Sequence, residues 1–287
     1  NGRKIDLIGS HGQTISHKDK HVSIQAGDPQ YLYSEFNVPI VYDFRQADID
    51  VGGNGAPLMP FLDWLLFRNL GSHTITLNVG GIANLTFIPK KSKKENVTGF
   101  DTGPGMALID ECCREYYNRS MDKDGKFGRK GKVDSKLLDV LMKHPFITKI
   151  PPKSTGRDEF SEEMVKSIRE KYPQISTNDF IRTLAAFSAK SISYNVEKYA
   201  NFNTNKSKLI VSGGGVYHPI FMEDLKNFCS ALKIHSSQEI GIDPNMKESL
   251  LIAVLAVAKF KGIASNMRPV TGALRDVPLG KIYKEIE

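Results

Sequence analysis

The sequence predicts a two-domain α/β protein, and three observations carry that expectation. Short apolar strands end in polar or glycine-rich turns that lead into helical patterns, as in open α/β sheets. A strand, a Gly80-Gly81 turn and a second strand change the character of the chain just after Gly71-Ser72. The 287 residues, 40% apolar and 25% charged, suit about two domains of ordinary globular composition. Collagenous, low-complexity and wholly disordered chains are excluded on the same grounds.

Residues 5–8 read as a short strand ending at Gly9-Ser10-His11-Gly12, and residues 38–42 as another ending at Asp43-Phe44-Arg45. Ligands of open sheets bind at such carboxyl ends. Residues 57–69 are apolar all round, which predicts a buried helix. Branched residues flank Gly80-Gly81, which predicts a hairpin of 74–79 with 82–88. A third strand is expected to end at Phe100, before Asp101-Thr102-Gly103-Pro104-Gly105. A helix over 106–117 follows, because Leu108, Ile109, Cys112, Cys113 and Tyr116 recur at three- and four-residue steps. The basic, loop-rich stretch 118–160 carries a helix near 134–143. Helices over 159–171 and 177–199, a buried strand at 208–212, and helices over 218–231 and 245–260 complete the pattern. Three antiparallel strands, a helix, then further strands and helices make the order of the ribonuclease-H-like unit of sugar kinases and actin. The expected division is residues 1–72 as one domain and 73–287 as the other, with the end of the chain free to return to the first.

Lys+Arg 39 against Asp+Glu 32 leaves a net charge of +7, but the excess is spread along the chain. Its densest run, Lys90, Lys91, Lys93 and Lys94, falls in an expected loop without an aromatic-rich motif, so no nucleic-acid partner is expected. Cys112, Cys113 and Cys229 are odd in number and lack a CxxC spacing, which predicts reduced thiols and a cytoplasmic protein. No metal-ligand spacing occurs, and no protein metal site is expected. The longest apolar stretch, 250–258, is flanked by Lys247 and Lys259 and is too short to span a bilayer, so no membrane partner is expected. His17, His21 and His73 are read as surface residues, and Asp122-Lys123-Asp124-Gly125 fails the EF-hand pattern.

Asp101 stands at an expected strand end before two glycines and a helix start. Such a carboxylate can act as a general base, and helix-start N–H groups suit phosphate. The same residues would also serve a plain Gly-Pro turn. Asn78, Gly80, Gly81 and Asn84 form a polar hairpin tip of the kind that touches phosphate oxygens, or a simple turn. Ser212-Gly213-Gly214-Gly215 lets a flat ring approach the backbone, yet it is neither GxGxxG nor a Walker A loop. His11 and Gln13 flank Gly12 as catalytic or merely networked polar groups.

Taken together, nine segments in order resemble one family: Ile8-Gly-Ser-His-Gly-Gln-Thr14, Asp43-Phe-Arg45, Gly53-Asn-Gly-Ala-Pro-Leu58, Asn78-Val-Gly-Gly-Ile-Ala-Asn-Leu85, Gly99-Phe-Asp-Thr-Gly-Pro-Gly105, Asp122-Lys-Asp-Gly125, Pro152-Lys-Ser-Thr-Gly-Arg157, Ser212-Gly-Gly-Gly215 and Pro269-Val-Thr-Gly272. The chain is similar over essentially its whole length to the anhydro-N-acetylmuramic acid kinases and their levoglucosan kinase relatives. The resemblance implies a two-domain sugar kinase/actin-like fold and the use of ATP and Mg2+. It also implies phosphorylation of a 1,6-anhydro sugar at the 6-oxygen while water opens the anhydro bridge.

By the same resemblance Asp101 is the catalytic base. His11, Gln13, Thr14, Arg45 and Glu248 are substrate-binding, with Arg45 suited to a lactyl carboxylate. Asn78, Gly80, Gly81, Gly103, Gly105, Gly213, Gly214 and Gly215 are nucleotide-binding. A small anhydro sugar is the expected partner, and a homodimer is allowed for. Two departures stand out. Met106 replaces an Asn that the family usually has after its DTGPG segment. The chain opens on Asn1 rather than Met, and no Gly-Thr-Ser-rich phosphate loop with an Asp precedes Ile5, so an incomplete first domain is expected. A levoglucosan kinase, or a non-catalytic remnant serving as a binding module, are the alternative readings.

Overall fold

A computed structural model describes residues 4–156, 158–244 and 246–284. Asn1 and Arg157, both named in the sequence reading, lie outside the described residues. The chain forms two compact units. One comprises 1–69, 91–98 and 246–287, and the other 70–90 and 99–245.

The second unit is built on a five-stranded sheet. Its strands are β5 (Thr74–Val79), β6 (Ile82–Ile88), β7 (Thr98–Pro104), β8 (Lys208–Ser212) and β9 (Lys233–Ser236), in the order β7-β6-β5-β8-β9. β5 runs antiparallel to β6 and parallel to β8, and β8 runs parallel to β9. This is the 3-2-1-4-5 order of a ribonuclease-H-like sheet, and the expected α/β class holds. β5 is central and almost wholly buried, so Thr74 and Thr76 are buried along with Ile75, Leu77 and Val79.

The helix Thr177–Tyr199 buries fourteen residues, so its apolar positions surround it rather than forming a stripe. Ser176 caps it by accepting the Asp179 N–H at 3.1 Å, with Asp179 placed favourably in the first turn. Phe180, Leu184, Phe187 and Ile192 join Ile75, Leu77, Leu85 and Leu209 in one core. Full burial of each such side chain contributes about 1.5–3 kcal/mol. Cys112, Cys113 and Cys229 are buried and unpaired. Burial pushes the Cys112 thiol up to about 12 and the Cys229 thiol up to about 11, which keeps both unreactive.

The first unit carries β1 (Ile8–Gly9), β4 (Ile40–Tyr42) and β10 (Lys281–Tyr283) in one small sheet, with β1 parallel and β10 antiparallel to β4. β1 is shorter than the expected 5–8. Ile8 N–H reaches Pro39 O at 3.0 Å, but Pro39 has no N–H to continue the ladder. A two-stranded ribbon pairs β2 (Gln13–Lys18) with β3 (Val22–Ala26), and the helix Pro29–Phe36 follows, capped by Asp28. Asp48 is fully buried and organises 53–58. It accepts from Gly55 N–H at 2.9 Å, Asn266 Nδ2 at 3.1 Å and Thr271 Oγ1 at 3.0 Å. The helices Met59–Phe67 and Lys247–Phe260 are joined by a buried ion pair, Asp63 Oδ1 to Lys247 Nζ, at 2.7 Å. Among the described residues, no helix is long and apolar enough to cross a membrane.

Candidate active site

In the second unit, β7 runs on through Asp101 to Pro104 instead of stopping at Phe100, so Asp101 lies within the strand. Thr102 keeps the strand in register by donating from Oγ1 to Ala83 O at 3.1 Å. The Asp101 N–H donates to Lys153 O at 3.1 Å, and its Oδ2 accepts the Thr155 N–H at 3.0 Å. The segment 152–156 therefore holds both the main chain and the carboxylate of Asp101. Its sequence marks it as a family-like segment without showing this role.

Beyond Asp101 the chain turns against the β5–β6 tip. Gly105 N–H donates to Gly81 O at 2.8 Å, Met106 N–H to Gly80 O at 2.8 Å and Ala107 N–H to Gly81 O at 3.1 Å. The helix Ala107–Tyr117 was expected to offer free N–H groups to phosphate. The Met106 and Ala107 groups at its start instead lock two glycine turns together. A side chain at 105 is excluded, since its Cβ would fall 2.3 Å from Gly80 O. Met106 is buried, and its side chain does not cap the helix.

The third glycine segment packs on the same strand ends. Gly213 has φ +83°, and a Cβ there would meet Val79 O at 2.6 Å and Asn78 Oδ1 at 2.8 Å. Ser212 Oγ lies 3.4 Å from Asn78 Oδ1. Gly215 packs on Val79, while Gly214 faces open space. Asn78, Gly80, Gly81, Gly105, Gly213 and Gly215 are thus gathered where β5, β7 and β8 end, with Gly103 on β7 beside Ile147.

In the first unit a cavity of about 240 Å³ is lined by Ser10, His11, Ser23, Ile24, Gln25, Gly27, Tyr42 and Asp43. Of the expected substrate residues only His11 lines it. Gln13 and Thr14 open β2, paired with Ala26 and Gln25. Asp43, Ser23 and Gln25 were missed as lining groups. Asp43 heads a segment already singled out, whereas Ser23 and Gln25 alternate with Val22, Ile24 and Ala26 in a five-residue strand too short to stand out in the sequence. Asp43 also pairs with Lys281 at 2.8 Å.

Arg45 is partly buried, and its Nε has no hydrogen-bond partner. Burial pushes its pKa down, and Asp19 pushes it back up. Burial, and then Arg45, also lower the pKa of His17. Glu248 is exposed in the first turn of Lys247–Phe260, next to the buried Lys247.

Known proteins match this chain over nearly its full length. The sequence model described as anhydro-N-acetylmuramic acid kinase matches residues 1–285. An anhydro-N-acetylmuramic acid kinase of Clostridioides difficile is 35% identical over 284 residues, covering 97% of this chain and 74% of the relative. One of Bacillus cereus is 36% identical over 290 residues, covering 97% and 75%. These relatives lend no support to the levoglucosan alternative. With a matching order of motifs, a ribonuclease-H-like sheet and this breadth of similarity, the chain belongs to the anhydro-N-acetylmuramic acid kinase family.

Proposed function

We propose that this chain transfers the γ-phosphoryl group of ATP to O6 of 1,6-anhydro-N-acetylmuramic acid while water opens the anhydro bridge. The family is one of phosphotransferases acting on a sugar hydroxyl. The finer reading rests on one observation: Asp101 is fixed by backbone groups on both sides, in the unit that also gathers the three glycine turns.

In this reading Asp101 accepts a proton from water as the water oxygen bonds to C1. The C1–O6 bond breaks, O6 stays on C6 and bonds to the γ-phosphorus, and the bond from that phosphorus to the β-phosphate oxygen breaks to release ADP. The bridging oxygen leaves as a nucleophile and needs no separate base. Positioning and charge neutralisation supply most of the rate. The glycine segments Gly80-Gly81, Gly103–Gly105 and Gly213–Gly215 hold the nucleotide, and His11, Gln13, Thr14, Arg45 and Glu248 hold the sugar. Arg45 suits the lactyl carboxylate because its guanidinium is partly buried with Nε unpaired.

Among the described residues no cluster of three or more His, Cys, Asp or Glu could form a metal cage. Mg2+ would be carried on the nucleotide phosphates and water, and would there neutralise phosphate charge.

The test is Asp101→Asn with ATP and the anhydro sugar in ¹⁸O-water. Wild type should place the label at C1 and none in the phosphoryl group. Asp101→Asn should lose turnover by about three orders of magnitude or more, given the 10²–10⁴-fold worth of a general base. Label in phosphate, or near-normal turnover of the variant, would remove this mechanism.

A further inference from the structure

Lys153 is a buried cation that the mechanism above does not use. It is 5% exposed. Its Nζ donates to Phe146 O at 3.1 Å and Ile147 O at 3.0 Å, in the short helix Pro145–Thr148. It also lies 5.0 Å from the Phe146 ring and 5.8 Å from the Phe100 ring. Its own carbonyl takes the Asp101 N–H, and two residues later Thr155 N–H reaches the Asp101 carboxylate. The ammonium thus anchors the loop that grips Asp101 from both ends. Burying a charge among carbonyls and rings costs several kcal/mol before compensation. An apolar side chain of similar length would fill the same space without that cost.

We propose that Lys153 is a positioning residue for Asp101, pinning the 152–156 loop so that the carboxylate keeps the orientation a base requires. The inference rests on the reading of Asp101 as the base. The charged groups that face Lys153 define how its hold responds to pH. Burial lowers its pKa most, Lys198 of the helix Thr177–Tyr199 and Lys149 lower it further, and Asp101 on β7 raises it, leaving it at about 8. Loss of that proton turns charge-assisted bonds into neutral ones of about half the strength.

The experiment compares the full chain with Lys153→Met, Lys153→Arg and Asp101→Asn. It measures kcat and KM from pH 6 to 10 and amide exchange at Asp101 and Thr155. Lys153→Met should lower kcat about 10- to 100-fold, the scale of an ångström-level misplacement, with both KM values nearly unchanged. It should also speed exchange at both amides by about tenfold, as expected for a locally opened loop. Lys153→Arg should recover slow exchange and most of kcat, and shift the alkaline fall of kcat from near pH 8 to above 10.

Wild-type kcat and exchange in Lys153→Met would overturn the proposal. If that variant does not fold, an alkaline fall of kcat in Lys153→Arg that stays near pH 8 would overturn it, and a fall shifted above pH 10 with exchange as slow as in wild type would support it. If turnover is too slow to resolve, the exchange data decide alone. A dead Asp101→Asn beside a wild-type-like Lys153→Met removes only this inference, whereas an active Asp101→Asn removes the base itself.

Discussion

His218 and Asp122 form a buried pair, with His218 Nε2 3.3 Å from Asp122 Oδ2. His218 Nδ1 accepts the Phe221 N–H at 3.2 Å and so caps the helix Pro219–Phe228, which places the ring proton on Nε2 facing the carboxylate. Asp122 also accepts from Phe127 N–H at 2.8 Å and Gly128 N–H at 3.0 Å. The His218 N–H donates to Gly215 O at 3.1 Å. The pair therefore ties the Asp122–Gly128 loop to the last glycine turn. His218→Ala should cost about 1–3 kcal/mol, since it removes a cap and leaves a buried carboxylate short of a donor. His218→Asn, which can still cap, should cost less. Urea unfolding checks this, and equal losses in the two variants would remove the capping role.

The same carboxylate predicts acid sensitivity. Burial alone would push the Asp122 pKa up, but the bonds from His218, Phe127 and Gly128 hold it below the usual carboxylate range. A group whose folded pKa is depressed stabilises the fold above its unfolded pKa, near 3.8, and that stability is lost as pH falls through the folded value. Stability in wild type should drop below about pH 4 more steeply than in Asp122→Asn, which lacks this proton uptake. Parallel acid-unfolding curves would contradict it.

Much of this was legible in the sequence, and the exceptions have physical causes. The β5–β6 hairpin, β8 and the helix Thr177–Tyr199 agree with the expected ranges, because central strands and long buried helices carry strong apolar patterns. The β2–β3 ribbon escaped notice because most of its residues are exposed, and Ile15 and Ile24 face solvent rather than a core. The strand end at Asp101 was misjudged because Gly103 and Pro104 look like a turn, yet both continue β7. The glycine segments were visible as motifs. Their hydrogen bonds to one another were not, since a backbone carbonyl at Gly80 leaves no mark on the residue type.

Lys247 and Asp63 offer a test of what holds Glu248 in place. Both side chains of this pair are nearly inaccessible to water. Asp63→Leu takes a carboxylate away from a buried ammonium and should destabilise the protein by about 3–5 kcal/mol, while Asp63→Leu with Lys247→Met should recover most of that loss. Failure of the double variant to recover would mean that the pair does more than balance its own burial.

Arg45→Ala tests substrate choice. If the guanidinium meets a carboxylate, the variant should lose about 1.5–3 kcal/mol of kcat/KM, roughly 10- to 150-fold, toward the muramic substrate. Levoglucosan, which has no carboxylate, should lose less. Equal losses with the two sugars would count against the contact.

Gly105 and Gly214 separate structure from ligand contact. A Cβ at 105 has no room, so Gly105→Ala should part the two glycine turns and lower stability, by the mechanism of an overpacked core at about 1–3 kcal/mol. A Cβ at 214 meets nothing within 4 Å, so Gly214→Ala should leave thermal stability nearly unchanged. If a nucleotide lies against the Gly213–Gly215 backbone, the added methyl falls where the ligand must approach, and KM for ATP should rise while Tm holds. An unchanged KM in Gly214→Ala would move the nucleotide away from that turn and leave Gly213 and Gly215 explained by the φ of +83° at Gly213 and by their close packing on Asn78 and Val79.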